Sequence, residues 1–140
     1  MRTTQATKAI VCGVAAAWLF AIGAAVVGAQ APKNAEAAKV KNPVKATAES
    51  IEAGKTAYNK YCKFCHAEGG TGNGALAPKD THPPNLIDAT WDHGSTDGEV
   101  FANIKDGVGP KFEMKAMKAK MMDADIWNVV NYLRSLGSKK

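Results

Sequence analysis

The stretch Cys62-Lys63-Phe64-Cys65-His66 restricts this chain more than any other. Two thiols three residues apart lie about one helical turn from each other, and an imidazole follows the second directly. Three chemistries use such a pair. A thioredoxin-like redox couple needs it at a strand-to-helix junction, and no strand pattern precedes Cys62. A zinc site could recruit His82 and His93, but ten residues separate these two, where paired zinc histidines are usually separated by three to five. The third chemistry is covalent attachment of haem: each thiol adds across a vinyl group and the neighbouring histidine reaches the iron. That reading uses both cysteines and the histidine. It implies one haem c, bound through Cys62 and Cys65, with His66 as an axial ligand.

The N-terminal region agrees with a destination outside the cytoplasm, where such attachment takes place in bacteria. Arg2 and Lys8 precede an uncharged run from Ala9 to Val27, and Ala29-Gln30-Ala31 closes it as an A-x-A cleavage pattern. Residues 1–31 therefore read as a signal peptide. An uncleaved membrane anchor over residues 9–29 is the alternative, since the run approaches the ~20 residues of a spanning helix. Cys12 falls inside this leader, so the odd count of three cysteines leaves no spare thiol. Residues 32–48 mix Lys, Ala and Pro with hardly a large apolar side chain, and read as a flexible linker. The formal charge of +5 belongs mainly to these two segments. Acidic and basic residues balance over 49–140, and no basic stripe there suggests nucleic-acid binding.

Residues 49–140 form the expected domain. Ser50 is placed to cap a helix through Ile51, Gly54, Ala57, Tyr58 and Tyr61 that runs into the motif. Thr96-Asp97-Gly98-Glu99 has the spacing of a capping box, and its helix continues through Val100, Phe101 and Ile104 to a stop at Gly107. Met122 or Asp123 opens a third helix. There Ile126, Val129, Val130, Leu133 and Leu136 form one apolar stripe ended by Gly137. No alternating strand pattern of useful length appears, so the fold class is all-α. Between the first two helices lies a loop with Gly69, Gly70, Gly72, Gly74, Pro78, Pro83 and Pro84. Loops of this length are uncommon in compact domains, and three short helices make a marginal core at about 90 residues. A large apolar group wrapped by the loops resolves both difficulties.

With these features together, the sequence resembles a class I cytochrome c over about 49–140. The likeness rests on Gly54 and Tyr58 leading into CKFCH, on Pro84-Asn85-Leu86, on a methionine-bearing loop, and on the closing IWNVVNYLRSLG. It implies a small domain of three main helices and long loops around one haem. It also implies that Gly54 lets the first helix cross closely against Val129, Tyr132 and Leu133 of the last.

The resemblance further implies a methionine opposite His66, which favours the reduced state and suits a carrier. Met114, Met117, Met121 and Met122 are the candidates. Spacing to the last helix resembles the family pattern if Met114, preceded by Gly109-Pro110, is the ligand. The family often has Met-Pro here and this chain has Met114-Lys115, which keeps Met117 open as an alternative; His93 would be a low-potential one. Pro84 is implied as the carbonyl acceptor for the His66 Nδ1–H, with Pro78 as fallback. Leu86 would line the pocket, and Trp91 would pack on the haem or donate to a propionate.

The expected function is that of an electron carrier, not an enzyme. With both axial positions filled, a periplasmic monohaem cytochrome would pass single electrons between redox proteins. Lys111, Lys115, Lys118 and Lys120, with Glu113 the one acid among them, could steer an acidic partner or simply form a solvated face. One alternative is a haem-bearing subunit of a larger periplasmic dehydrogenase or respiratory complex. Another, an open-site enzyme or sensor, would need His82 or His93 as an acid–base group. A membrane enters only if the leader is retained.

Overall fold

The computed structural model describes residues 33–80, 83–88, 91–110 and 114–137. Their helices are α1 (Ala35–Ala38), α2 (Ala48–Tyr61), α3 (Lys63–His66), α4 (Asp97–Asp106) and α5 (Asp123–Gly137). Among the described residues no strand forms. The one β-type pairing is an isolated antiparallel bridge between Val108 and Met114. The all-α expectation holds, with α2, α4 and α5 as the three main helices.

The α2–α5 crossing is the centre of the fold. From α5, Ile126, Val129, Val130 and Leu133 are all buried, each contributing about 1.5–3 kcal/mol of hydrophobic transfer. Tyr58 of α2 is 1% exposed, its ring 5.3 Å from that of Tyr132. Gly54 explains the closeness: a Cβ there would run into the main-chain carbonyl of Asn128. Helix α4 packs on the other side of α5, with Val100 and Ile104 buried and Phe101 stacked on Trp127 at 4.0 Å between ring centroids.

Both capping signals are present, one shifted from its expected position. The cap of α2 is Thr47, whose hydroxyl accepts from the Ser50 amide at 3.2 Å. Ser50 sits at the third helical position and accepts from the Thr47 amide at 3.0 Å. The sequence signal at Ser50 was thus half of a capping box. Thr96 and Glu99 form the same device at α4, and Gly107 ends that helix with φ 84°.

Residues 33–48 correct the expectation of a flexible linker. They lie along α4 and α5, held mainly by polar groups, with Val44 packed against the core. Asn42 Nδ2 donates to Asn131 Oδ1 at 2.9 Å, and Asn131 Nδ2 reaches the Val44 carbonyl at 3.1 Å and Ser50 Oγ at 3.1 Å. Farther along, Glu99 Oε1 accepts from the Lys33 and Asn34 amides at 2.6 and 3.0 Å. Its Oε2 accepts from the Thr96 amide and hydroxyl at 3.1 and 2.9 Å. Glu99 is 1% exposed. Burial alone would raise its pKa, but these hydrogen bonds outweigh that and hold it below the usual carboxylate range. The leader, residues 1–31, lies outside the described residues.

Candidate functional site: the cysteine–histidine turn

Helix α2 ends at Tyr61, and the next residue, Cys62, is the cap of α3. The amides of Cys65 and His66 both donate to the Cys62 carbonyl, at 3.1 and 3.0 Å. The motif is therefore one closed turn of helix. The glycine-rich loop then folds back over it: Leu76 N donates to the Phe64 carbonyl at 2.7 Å, Gly74 N to Cys65 at 3.0 Å and Gly72 N to His66 at 3.0 Å. Gly72 has φ 84°, and a Cβ there would strike the Pro83 carbonyl. Glycine at this position lets the loop lie between the motif and the Pro83-Pro84 segment.

Cys62 is buried and Cys65 half-buried, both as free thiols. Burial, helped by neighbouring Cys65, pushes the Cys62 thiol up to about 12. A thiol so far from ionisation is a poor attacking group in disulfide exchange, which proceeds through thiolate. His66 is 8% exposed. Burial lowers its pKa, opposed by the Pro84 carbonyl, so the imidazole is held neutral with a lone pair to offer. Its Nδ1 is buried, and no acceptor meets it in hydrogen-bond geometry. The Pro84 carbonyl, the acceptor implied by resemblance, acts on this ring but stops short of a formed bond. These groups fit a covalently attached haem: two cysteines in one helical turn, a buried imidazole beside them, and a carbonyl near the second ring nitrogen.

The other expected residues distribute as follows. Leu86 is half-buried, its amide donating to the Gly70 carbonyl at 2.7 Å. Trp91 Nε1 donates to the Asp88 carbonyl at 3.0 Å, and the Arg134 guanidinium lies 5.5 Å from its ring centroid. Pro78 is exposed.

The methionines separate into two groups. Met121 is a buried core residue and Met122 is 72% exposed. Met114 and Met117 are half-buried against the core. Met114 is held by its bridge to Val108, with N···O distances of 2.9 and 3.4 Å, and the Met117 amide donates to the Ile104 carbonyl at 3.0 Å. Lys115, Lys118 and Lys120 are exposed, and Lys118 pairs with Asp106 at 3.1 Å. His93 is exposed, and among the described residues no three His, Cys, Asp or Glu side chains converge as metal ligands. His82, Lys111 and Glu113 lie outside the described residues.

Sequence reasoning missed one contact. The Tyr58 hydroxyl donates to the carbonyl of Ala67, the residue after His66, at 2.7 Å. Tyr58 was legible as a packing residue, but nothing in its spacing marked where its hydroxyl would go.

Comparison with known proteins points to the same chemistry. The family model for cytochrome c oxidase, cbb3-type, subunit III matches residues 49–133. The cbb3-type cytochrome c oxidase subunit CcoP of Cereibacter sphaeroides is 34% identical over 87 residues, covering 60% of this chain and 27% of the relative. Subunit FixP of Azorhizobium caulinodans is 34% identical over 89 residues, covering 59% and 28%. The chain thus spans little more than a quarter of the length of these relatives. In fold it is similar to a chain of the reducing HAO-like protein complex of Kuenenia stuttgartiensis, with TM-score 0.58 and 24% identity over 69% of this chain and 49% of that one. It is also similar to cytochrome CL of Methylophaga aminisulfidivorans, with TM-score 0.52 and 22% identity over 67% and 55%.

Proposed function

This chain belongs to the family of cytochrome c oxidase, cbb3-type, subunit III, and on that premise we propose that it carries single electrons between redox proteins outside the cytoplasm, as a monohaem c-type cytochrome. The observation that carries this reading is the pair of cysteines closed into one helical turn beside a buried His66. Haem, when bound, supplies a one-electron ferrous–ferric couple. Cys62 and Cys65 would hold it covalently, and the one Cys-x-x-Cys-His motif of this sequence supports a single haem. His66 would be one axial ligand, oriented through its second nitrogen by the Pro84 carbonyl. Met114 would be the other, with Met117 as the alternative. Leu86 and the half-buried methionines would keep water from the site.

One experiment tests the attachment and the ligand pair together. The purified protein should carry the mass of one haem through denaturation and show the optical features of low-spin His/Met ligation. Met114→Ala should abolish those features while Met117→Ala preserves them. The reverse pattern would move the ligand to Met117, and persistence in both variants would remove both residues from the role.

Exposed Lys115, Lys118 and Lys120 support an acidic docking surface on the partner. Its association rate should fall as ionic strength rises, since screening shortens the reach of steering charges; a flat response would reduce these lysines to a solvated face. The names of the relatives favour a second reading, a haem-bearing component of a respiratory complex. Co-purification of a stoichiometric second polypeptide would select it over a free carrier. Among the described residues no helix is long and apolar enough to cross a membrane. Residues 1–31 would direct export, or residues 9–29 would anchor the domain.

A further inference from the structure

His66 closes α3, and the chain leaves that helix through an unfavourable conformation. Ala67 has φ 63° and ψ 166°, a left-handed φ that a residue with a Cβ resists. It persists only if its surroundings hold it. Gly70 N donates to the Ala67 carbonyl at 3.3 Å, a long bond, and Gly72 N secures the preceding carbonyl, that of His66, at 3.0 Å. The shortest contact to the Ala67 peptide comes from elsewhere: the Tyr58 hydroxyl, at 2.7 Å. Tyr58 is itself fixed, being 1% exposed and packed on Tyr132 across the α2–α5 crossing. Burial raises its pKa, which keeps the hydroxyl protonated and donating.

We propose that Tyr58 is a positioning residue for His66: its hydroxyl pins the Ala67 carbonyl, holds the chain in its left-handed exit from the turn, and so fixes the direction from which the imidazole approaches iron. The orientation of the axial ligand is then set by the helix crossing, through one hydrogen bond. This inference rests on the reading of His66 as an axial ligand.

The logic predicts a specific rescue. Glycine tolerates φ near +60° without help, so Ala67→Gly makes the pin dispensable. In the haem-loaded protein, Tyr58→Phe should shift or split the low-spin ferric electron paramagnetic resonance signal, which responds to the orientation of the imidazole plane, and should move the midpoint potential. Ala67→Gly alone should match the wild type, and the double variant Tyr58→Phe/Ala67→Gly should recover the wild-type signal and potential. A residue that merely filled space would give a Tyr58→Phe variant spectroscopically like the wild type, since the ring remains. That result, or a double variant no closer to wild type than Tyr58→Phe, overturns the inference. Should Tyr58→Phe fail to acquire haem, the yield of covalent haem becomes the readout: restoration by Ala67→Gly supports the inference and its absence overturns it. A wild-type protein without a His-ligated low-spin signal overturns the ligand reading and this one with it, whereas a normal wild type with unresponsive variants overturns this one alone.

Discussion

On one side of the molecule, where α2 crosses α5, side chains do the folding. Tyr58, Ile126, Val129, Val130 and Leu133 are buried against one another, and the helices touch at Gly54 with no room for a methyl group. On the other side, from Ala67 to Ser95, the buried residues among those described are Gly70, Gly72 and Gly94. Backbone hydrogen bonds hold this side together; of its larger apolar residues, Leu86, Ile87 and Trp91 are half-buried and Leu76 is exposed. The first side would stay folded by its own packing. The second encloses a turn that offers thiols and an imidazole to something apolar. The difference teaches where stability and function are divided: the crossing is a platform, and the loops are shaped for an occupant.

Removing that occupant should break the two sides apart. In the Cys62→Ser/Cys65→Ser variant, the amides of Gly72, Gly74, Leu76 and Leu86 should lose most of their protection from hydrogen exchange, while those of α5 persist. Uniform loss would mean the crossing depends on the site as much as the loops do. Damage to the platform is the next largest effect. Gly54→Ala drives a methyl group into the Asn128 carbonyl, which cannot rotate away as a side chain could. It should cost about 3 kcal/mol or more, at the upper end for overpacking, read from the denaturant midpoint. A smaller effect belongs to neither side. Glu99 has its pKa lowered on folding, so its contribution is complete above the unfolded value near 4.5 and is lost as pH falls through the folded value. Glu99→Gln should cost about 1–3 kcal/mol at pH 7, and the gap to wild type should narrow on acidification toward pH 3. A gap independent of pH would assign the loss to geometry and not to charge.

What the sequence made legible follows the same division. The stripe of α5 and the motif at 62–66 are local patterns: the first is buried as read, and the second closes the single helical turn its spacing implies. Gly54 was legible because a glycine within a helix demands a neighbour. Contacts between distant polar residues were not: Asn42 and Asn131 are 89 positions apart, and neither carries a spacing that announces the other. The segment 33–48 was therefore judged by its missing apolar side chains, although hydrogen bonds hold it. Trp91 shows the same limit at the site, since the Asp88 carbonyl that takes its N–H has no signature of its own. The choice between Met114 and Met117 turns on which side chain completes the coordination, a matter that spacing along one loop does not encode.

The docked segment 33–48 also changes the mechanics of attachment. Free, a chain of that length would span about 20–24 Å root-mean-square and let the domain sample a broad volume around its point of origin. Laid down along α5 and fastened at Glu99, it gives up that reach. The chain before Lys33 joins the domain at the edge of α4. On the carrier reading proposed above, this would limit which face of the domain is presented to a partner.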